Sequence, residues 1–214
     1  MSAADTERTA KPRGRPSEGV REAILETTLA LITGEGIARL TTKEIAARAG
    51  ASEASIYYHF ADKKALLEGV IVEAVLQPLR EFAASFEERV AGKSVPDALL
   101  DYGRALESFW RRVLPVLSAV QADVELRDYF RERISELGFG PQRGVRIVAD
   151  YLRGQQQAGA VRADVDVSAA AMSFASACFL SAYQSHMLGS AARRKLPSLE
   201  AAVAALAELL EGDY

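Results

Sequence analysis

The chain has 214 residues, 49% of them hydrophobic and 26% charged, with a formal net charge of −3, which is the profile of an ordinary globular protein of one or two domains. Its one cysteine, Cys178, excludes an internal disulfide, and its most apolar run, Ala169 to Tyr183, is too short and too rich in serine to span a bilayer. The opening MSAADTERTA lacks the apolar core of a signal peptide, so a cytoplasmic protein with no membrane partner is expected.

Ala, Leu, Glu and Arg dominate, and no stretch alternates in the two-residue period of a strand, so the elements in chain order all read as helices. Residues 1–16 are polar, with two prolines and a glycine, and read as a flexible arm. This arm is also where positive charge concentrates. From Arg8 to Arg21 there are five cations (Arg8, Lys11, Arg13, Arg15, Arg21) against the single acid Glu18. Ser17 stands at an N-cap position, and Val20, Ala23, Ile24, Thr27, Leu31 and Ile32 follow at helical spacing until Gly34 and Gly36 stop the helix. Thr41-Thr42-Lys43-Glu44 has the form of a capping box. It opens a short helix with Ile45, Ala46 and Ala49 facing inward and Gly50 at its end. Ser52 caps a third helix over about Glu53 to His59, and Asp62 caps a fourth. The fourth helix, with the stripe Leu66, Leu67, Val70, Ile71, Ala74 and Val75, runs to about Ala91, and Pro78 in its middle predicts a kink. A tight turn at Gly50 between the second and third helices has helix-turn-helix form, although spacing alone fits a plain small bundle equally well.

The stretch SEASIYYHFADKK is the chemically distinctive one. It places Tyr57, Tyr58, His59 and Phe60 side by side in a chain that is only 7% aromatic, and Lys63 and Lys64 follow at once. On a helix, Ile56 and Phe60 share one face and seal a core, whereas Glu53, Ala54, Tyr57 and Tyr58 share the opposite face. The tyrosine hydroxyls and the imidazole can then donate to phosphate oxygens, the rings can touch sugars and thymine methyls, and the lysines lie near a flanking phosphate backbone.

The pieces Gly36, Thr41-Thr42, IAARAG at 45–50 and IYYHF-x-x-K at 56–63, in that order, make residues 17–70 similar to the DNA-binding domain of the TetR (tetracycline repressor) family of transcriptional regulators. The resemblance covers about a quarter of the chain; the rest is similar only in being helical and of typical length. It implies that Thr42 and Lys43 touch phosphate at the positive end of the second helix. Glu53, Ala54, Ser55 and Tyr57 would face base edges, and Tyr58, His59 and Lys63 would hold the DNA backbone, with the capping residues Thr41 and Ser52 counted in the same surface. Glu53 is a departure, because a carboxylate there either meets a cytosine amino group or is repelled by phosphate; alternatively it simply favours its own helix N-terminus. The Arg13-Gly14-Arg15-Pro16 run resembles an AT-hook core, whose arginines enter a narrow minor groove; the alternative is a solvated tail.

Two late helices, about Val167 to Leu188 and Ser198 to Leu210, are rich in small and apolar residues. In the family the corresponding helices pair with their copies, which implies a homodimer reading a palindromic operator on double-stranded DNA, since two heads a helical turn apart read enough bases. Family members also enclose a small-molecule cavity. Its candidate lining here is Tyr102, Phe109, Trp110, Gln121, Tyr129, Phe174, Cys178 and Tyr183, for an apolar or amphipathic effector, although aromatics at helical spacing also build plain core.

An enzyme is not expected. The two histidines, His59 and His186, lie far apart, no His/Cys cluster has metal-ligand spacing, and no glycine loop has phosphate-binding form, so neither metal nor cofactor is predicted. The expectation is an all-α protein. It has a basic arm (1–16), a three-helix helix-turn-helix domain (17–66), and a long helix leading into a larger helical ligand-binding and dimerisation domain (67–214). The function expected is a ligand-responsive repressor; the alternative is a helix-turn-helix adaptor for protein contacts.

Overall fold

A computed structural model describes residues 17–37, 40–138, 140–189 and 196–211, and every regular element among them is helical. The first helix, α1 (Ser17–Glu35), buries Ile24, Leu25, Thr28, Leu31 and Ile32 along one stripe. Thr28 is tolerated there because its hydroxyl donates to the Ile24 carbonyl one turn back, at 2.7 Å. The helix runs through Gly34 and ends at Glu35, so only Gly36, with φ +84°, acts as the stop.

Helices α2 (Thr42–Ala49) and α3 (Glu53–His59) are set by their ends. Thr41 Oγ1 accepts the Glu44 amide at 3.2 Å and Ser52 Oγ accepts the Ser55 amide at 3.0 Å, each satisfying an orphan donor of the first turn. Between them Gly50 adopts φ +64°, a left-handed conformation that costs a side-chain-bearing residue about 1–2 kcal/mol. With Gly50 there, the Ala51 amide bonds back to the Ala46 carbonyl at 2.9 Å.

Helix α4 (Lys63–Ile71) is capped by Asp62, whose Oδ1 accepts the Ala65 amide at 2.7 Å. Gly69 marks its closest approach to the head: a β-carbon there would meet Leu25 Cδ2 and Phe60 Cε1, each at 3.1 Å. The expected single long helix is instead a series. A π-helical turn, Val72–Leu76, precedes α5 (Gln77–Ala84), Ser85 interrupts, and α6 (Phe86–Val90) follows. Pro78 lacks the N–H that would close onto Ala74, and the widened turn lies just before it, with the Gln77 amide reaching five residues back to the Val72 carbonyl.

The spine of the molecule is α7 (Val95–Ala122), which continues through Pro115. The proline costs one backbone bond, but buried Val113, Leu114, Val116 and Val120 hold both sides of it in place. After α7 come α8 (Val124–Glu136), α9 (Pro141–Gln157), α10 (Val167–Leu188) and α11 (Leu199–Leu210). Two apolar clusters share the spine. One joins α1–α4 to Phe109, Val113, Val116 and Val120 of α7 and Leu126 of α8; the other joins Leu99 and Tyr102 of α7 to α9, α10 and α11. No helix among the described residues is long and apolar enough to cross a membrane, and none of them form a group of three metal-ligating side chains.

Candidate nucleic-acid interface

Helix α3 is held by a single fully buried side chain, Ile56, with Phe60 closing the end of the helix against the core. The Arg21 guanidinium lies 5.5 Å from the Phe60 ring centroid, covering it from outside. Facing away are Glu53 and Ala54, both exposed, Tyr57 at 54% exposure and Tyr58 at 79%. Nearly four-fifths exposure of a tyrosine on a helix this short means its ring contributes little to folding. His59 is half-buried, with its ring edge-on to Tyr58 at 5.0 Å between centroids. The division of this aromatic run into an inward Phe60 and outward tyrosines matches the helical periodicity.

Three polar contacts then tie the surface together. Thr42 Oγ1, on the first residue of α2, donates to Glu53 Oε2 at 2.9 Å. Ser52 and Ser55 hydroxyls pair at 2.8 Å. Lys63 Nζ donates to the Leu40 carbonyl at 2.7 Å, so one of its three protons is directed at the loop before α2 and two remain for other acceptors. Neighbouring Lys64 pairs instead with Glu125 of α8 at 3.4 Å, an exposed and individually weak bond between the head and the larger helical body. Lys43 is exposed on the first turn of α2. Arg48 was not singled out from sequence, yet it bridges Glu35 of α1 and Glu44 of α2, both at 2.7 Å, and these pairings hold its guanidinium pKa above the ordinary value, the Glu35 hydrogen bond most of all. Only the Glu44 partner, one turn away, is a pattern visible in sequence. Arg13 and Arg15 lie outside the described residues.

The eight ligand-pocket candidates fall in different surroundings. Tyr102, Phe109, Phe174 and Cys178 are buried. Phe82 stacks between Tyr102 and Phe109 at 5.0 and 5.3 Å, and Tyr102 stacks on Phe174 at 6.2 Å. From Phe109 the rings continue through Trp110 to Phe179 and Tyr183, which emerge on the exposed side of α10. Gln121 is exposed at the end of α7, and Tyr129 packs against the cluster that holds the N-terminal helices. Beside this interior, Glu107 is a buried carboxylate accepting from Ser181 Oγ and Arg111 Nη2, each at 2.7 Å. Burial pushes the Cys178 thiol up to about 12, and the Glu107 charge adds to it; burial likewise raises the Tyr102 phenol. A groove of about 240 Å³ lies elsewhere, between α1 and α4 with its π-turn, lined by Glu22, Leu25, Glu26, Leu29, Val70, Glu73 and Ala74.

Residues 24–70 match the family described as bacterial regulatory proteins, tetR family. The tetracycline repressor protein class C of Escherichia coli is 41% identical over 56 residues, which are 26% of this chain and 25% of that one. The chain thus matches about a quarter of the length of that relative. A structure assigned to the TetR family of transcriptional regulators, from Mesorhizobium loti MAFF303099, superposes with a TM-score of 0.69 at 19% identity, covering 93% of this chain and all of that one. SmeT, the repressor of the Stenotrophomonas maltophilia multidrug efflux pump SmeDEF, superposes with a TM-score of 0.60 at 17% identity over 90% of this chain and 91% of its own. SmeT has also been solved in complex with triclosan. The matches to the tetracycline repressors cover about a quarter of the chain, whereas the uncharacterized HTH-type transcriptional regulator YvkB of Bacillus subtilis is 27% identical over 139 residues, 65% of this chain and 69% of that one, and the shared helical fold extends over nearly the whole chain.

Proposed function

We propose that this chain is a TetR-family regulator, a homodimeric repressor whose hold on a palindromic operator changes when a small molecule binds the larger helical region; the family match of residues 24–70 and the shared all-helical fold support this reading. The observation that carries the DNA-binding part is the construction of α3. One buried anchor and a capped N-terminus hold it rigidly, and its outward face presents Glu53, Ala54, Tyr57 and Tyr58. In this reading Glu53, Ala54, Ser55 and Tyr57 meet base edges. Thr41, Thr42 through its backbone amide at the start of α2, Lys43, Ser52, Tyr58, His59 and Lys63 meet the sugar-phosphate backbone, and Arg13 and Arg15 reach the adjoining minor groove.

Dimerisation is supported by the unpartnered apolar side of the last two helices. Met172, Leu180, Met187 and Leu188 of α10 and Leu209 of α11 are exposed, together with the partly exposed Phe179 and Tyr183. A second copy covers this face and sets two α3 helices roughly 34 Å apart, one helical turn of DNA. The division into arm (1–16), head (17–66) and effector and dimerisation region (67–214) belongs to the same proposal. The effector is an apolar or amphipathic molecule, a reading supported by the aromatic interior around Tyr102, Phe109 and Phe174 and by the triclosan complex of SmeT. In this reading an effector parts α7 from α10 to enter, and the apolar cluster that joins α1–α4 to Phe109, Val113, Val116 and Val120 of α7 carries the change to the head.

Selection from a pool of random duplexes by the full-length protein tests this function. The proposal requires enrichment of an inverted repeat and a dimer by sedimentation. Failure to enrich any sequence would refute it.

A further inference from the structure

We infer that Glu53 is the base-reading carboxylate of this protein and that it selects a cytosine at one position of each operator half-site, held in reading geometry by Thr42. The inference rests on the proposed DNA-binding function and adds to it the identity of one base and the residue that chooses it.

The exposed face of α3 offers a base edge only a few groups. Ser52 and Ser55 share one hydroxyl hydrogen bond at 2.8 Å, and Ser52 Oγ also takes the Ser55 amide, so one of their two hydroxyl protons remains for an outside acceptor and neither side chain carries charge. Ala54 offers a methyl, and Tyr57 a hydroxyl one turn further on. Glu53 is therefore the charged group on the first turn, and it is exposed.

A free glutamate would sweep several rotamers, and it would turn from phosphate. Here the carboxylate is tethered across two helices: Thr42 Oγ1, eleven residues earlier and on α2, donates to Oε2 at 2.9 Å. The tether has two effects. It lowers the rotamer entropy lost when the carboxylate meets a base. It also leaves Oε1 to accept from a base, with no hydrogen-bond or ion-pair partner among the described residues. Exposed Lys43, next to Thr42 in the chain, supplies positive charge to offset the repulsion between this carboxylate and nearby phosphates.

The chemistry of the major groove then decides the base. A carboxylate only accepts. Guanine presents O6 and N7, both acceptors, and thymine presents the O4 acceptor and a methyl, so both repel it. Adenine pairs its amino donor with the N7 acceptor beside it. Cytosine presents its N4 amino group as a donor with no acceptor alongside. The acceptor-only side chain and the donor-only edge are complementary, and the other three bases each oppose an acceptor with an acceptor. Because a dimer presents Glu53 twice, the preference appears symmetrically in both half-sites.

The test is random-duplex selection with sequencing, run on the full-length wild type and on Glu53→Gln, Glu53→Ala and Thr42→Val, each first checked for an unchanged thermal melt. The wild type is expected to select cytosine at one position per half-site, with a loss of roughly tenfold or more in affinity when that cytosine is replaced. Gln accepts and donates, so Glu53→Gln should move that one position to adenine and leave the rest of the half-site unchanged. Glu53→Ala should erase the preference there and strengthen binding to unrelated DNA, since a negative charge facing phosphate is gone. Thr42→Val should retain cytosine with a weakened preference, an effect that a merely structural Thr42–Glu53 bond would not produce. A wild-type inverted repeat in which no position changes in Glu53→Gln or Glu53→Ala overturns this inference and leaves the regulator reading standing. No enrichment by the wild type overturns both.

Discussion

Ile56 and Tyr58 are two residues apart on α3 and should fail in opposite ways. Ile56 is fully buried and is the helix's single interior anchor, whereas Tyr58 is 79% exposed. Ile56→Ala removes three carbons, worth about 2.4 kcal/mol at about 0.8 kcal/mol per buried methylene. The cavity left behind adds to this, since α3, α1 and α4 are fixed by their own packing, so the total should be about 3 kcal/mol. In a chain of this length that lowers the melting temperature by about 6–12 °C. Tyr58→Ala removes a ring that touches mainly water and should change stability by less than about 0.5 kcal/mol. Its DNA affinity should nonetheless fall by roughly tenfold per site, the scale of a lost hydrogen bond to a charged phosphate. Thermal and urea melts followed by helical circular dichroism, at one fixed protein concentration, measure the first effect, and duplex binding measures the second. An Ile56→Ala protein as stable as wild type would refute the docking of α3, and a Tyr58→Ala protein with undiminished affinity would refute the assignment of its outward face to DNA.

Other expectations follow from the same geometry. Gly50→Ala forces a β-carbon into a φ of +64° and should cost about 1 kcal/mol by urea melts, with weaker DNA binding because the step from α2 to α3 is disturbed. Leu209→Glu places a charge on the exposed apolar face of α11 and should yield monomers by sedimentation while circular dichroism stays unchanged. The buried Cys178 thiol, pushed up to about 12, should resist a thiol reagent at pH 8 in the folded protein and react fully once denatured. The same shift sets a pH dependence. Unfolded chains lose this proton near the ordinary value of 9.0 while the folded protein keeps it, so stability is full below pH 9 and falls as pH rises toward 12. Its slope from this group is at most about 1.4 kcal/mol per pH unit, and Cys178→Ala should flatten that part of the curve.

Chemistry confined to a few neighbouring residues was legible in the sequence. Thr41, Ser52 and Asp62 cap the helices expected of them, because an N-cap bond spans only three residues. The limits of α10 and α11 were readable from their runs of small and apolar residues. The inward Ile56 and Phe60 and the outward tyrosines followed from helical period alone. What required the fold was long in reach. The Thr42–Glu53, Lys63–Leu40 and Arg48–Glu35 contacts join different elements, and no spacing rule announces them. Proline was an uneven guide. Near Pro78 the rod accommodates its loss as a π-turn, while Pro115 sits inside α7 without ending it, because packing on both sides outweighs one missing bond. For the ligand candidates spacing gives no decision. An aromatic at helical spacing looks alike whether it fills a core or walls a cavity, and Tyr102, Phe109 and Phe174 are packed against other rings.

The most direct test of DNA recognition by α3 is fluorescence anisotropy of the full-length protein on its selected inverted-repeat duplex and on a scrambled duplex of equal length, across a salt series. The account predicts at least a thousandfold preference, roughly the lower bound for specific over non-specific binding, and affinity that falls steeply and linearly in log salt as phosphate-bound counterions are released. Equal affinity for both duplexes, or no binding at low salt, would contradict it.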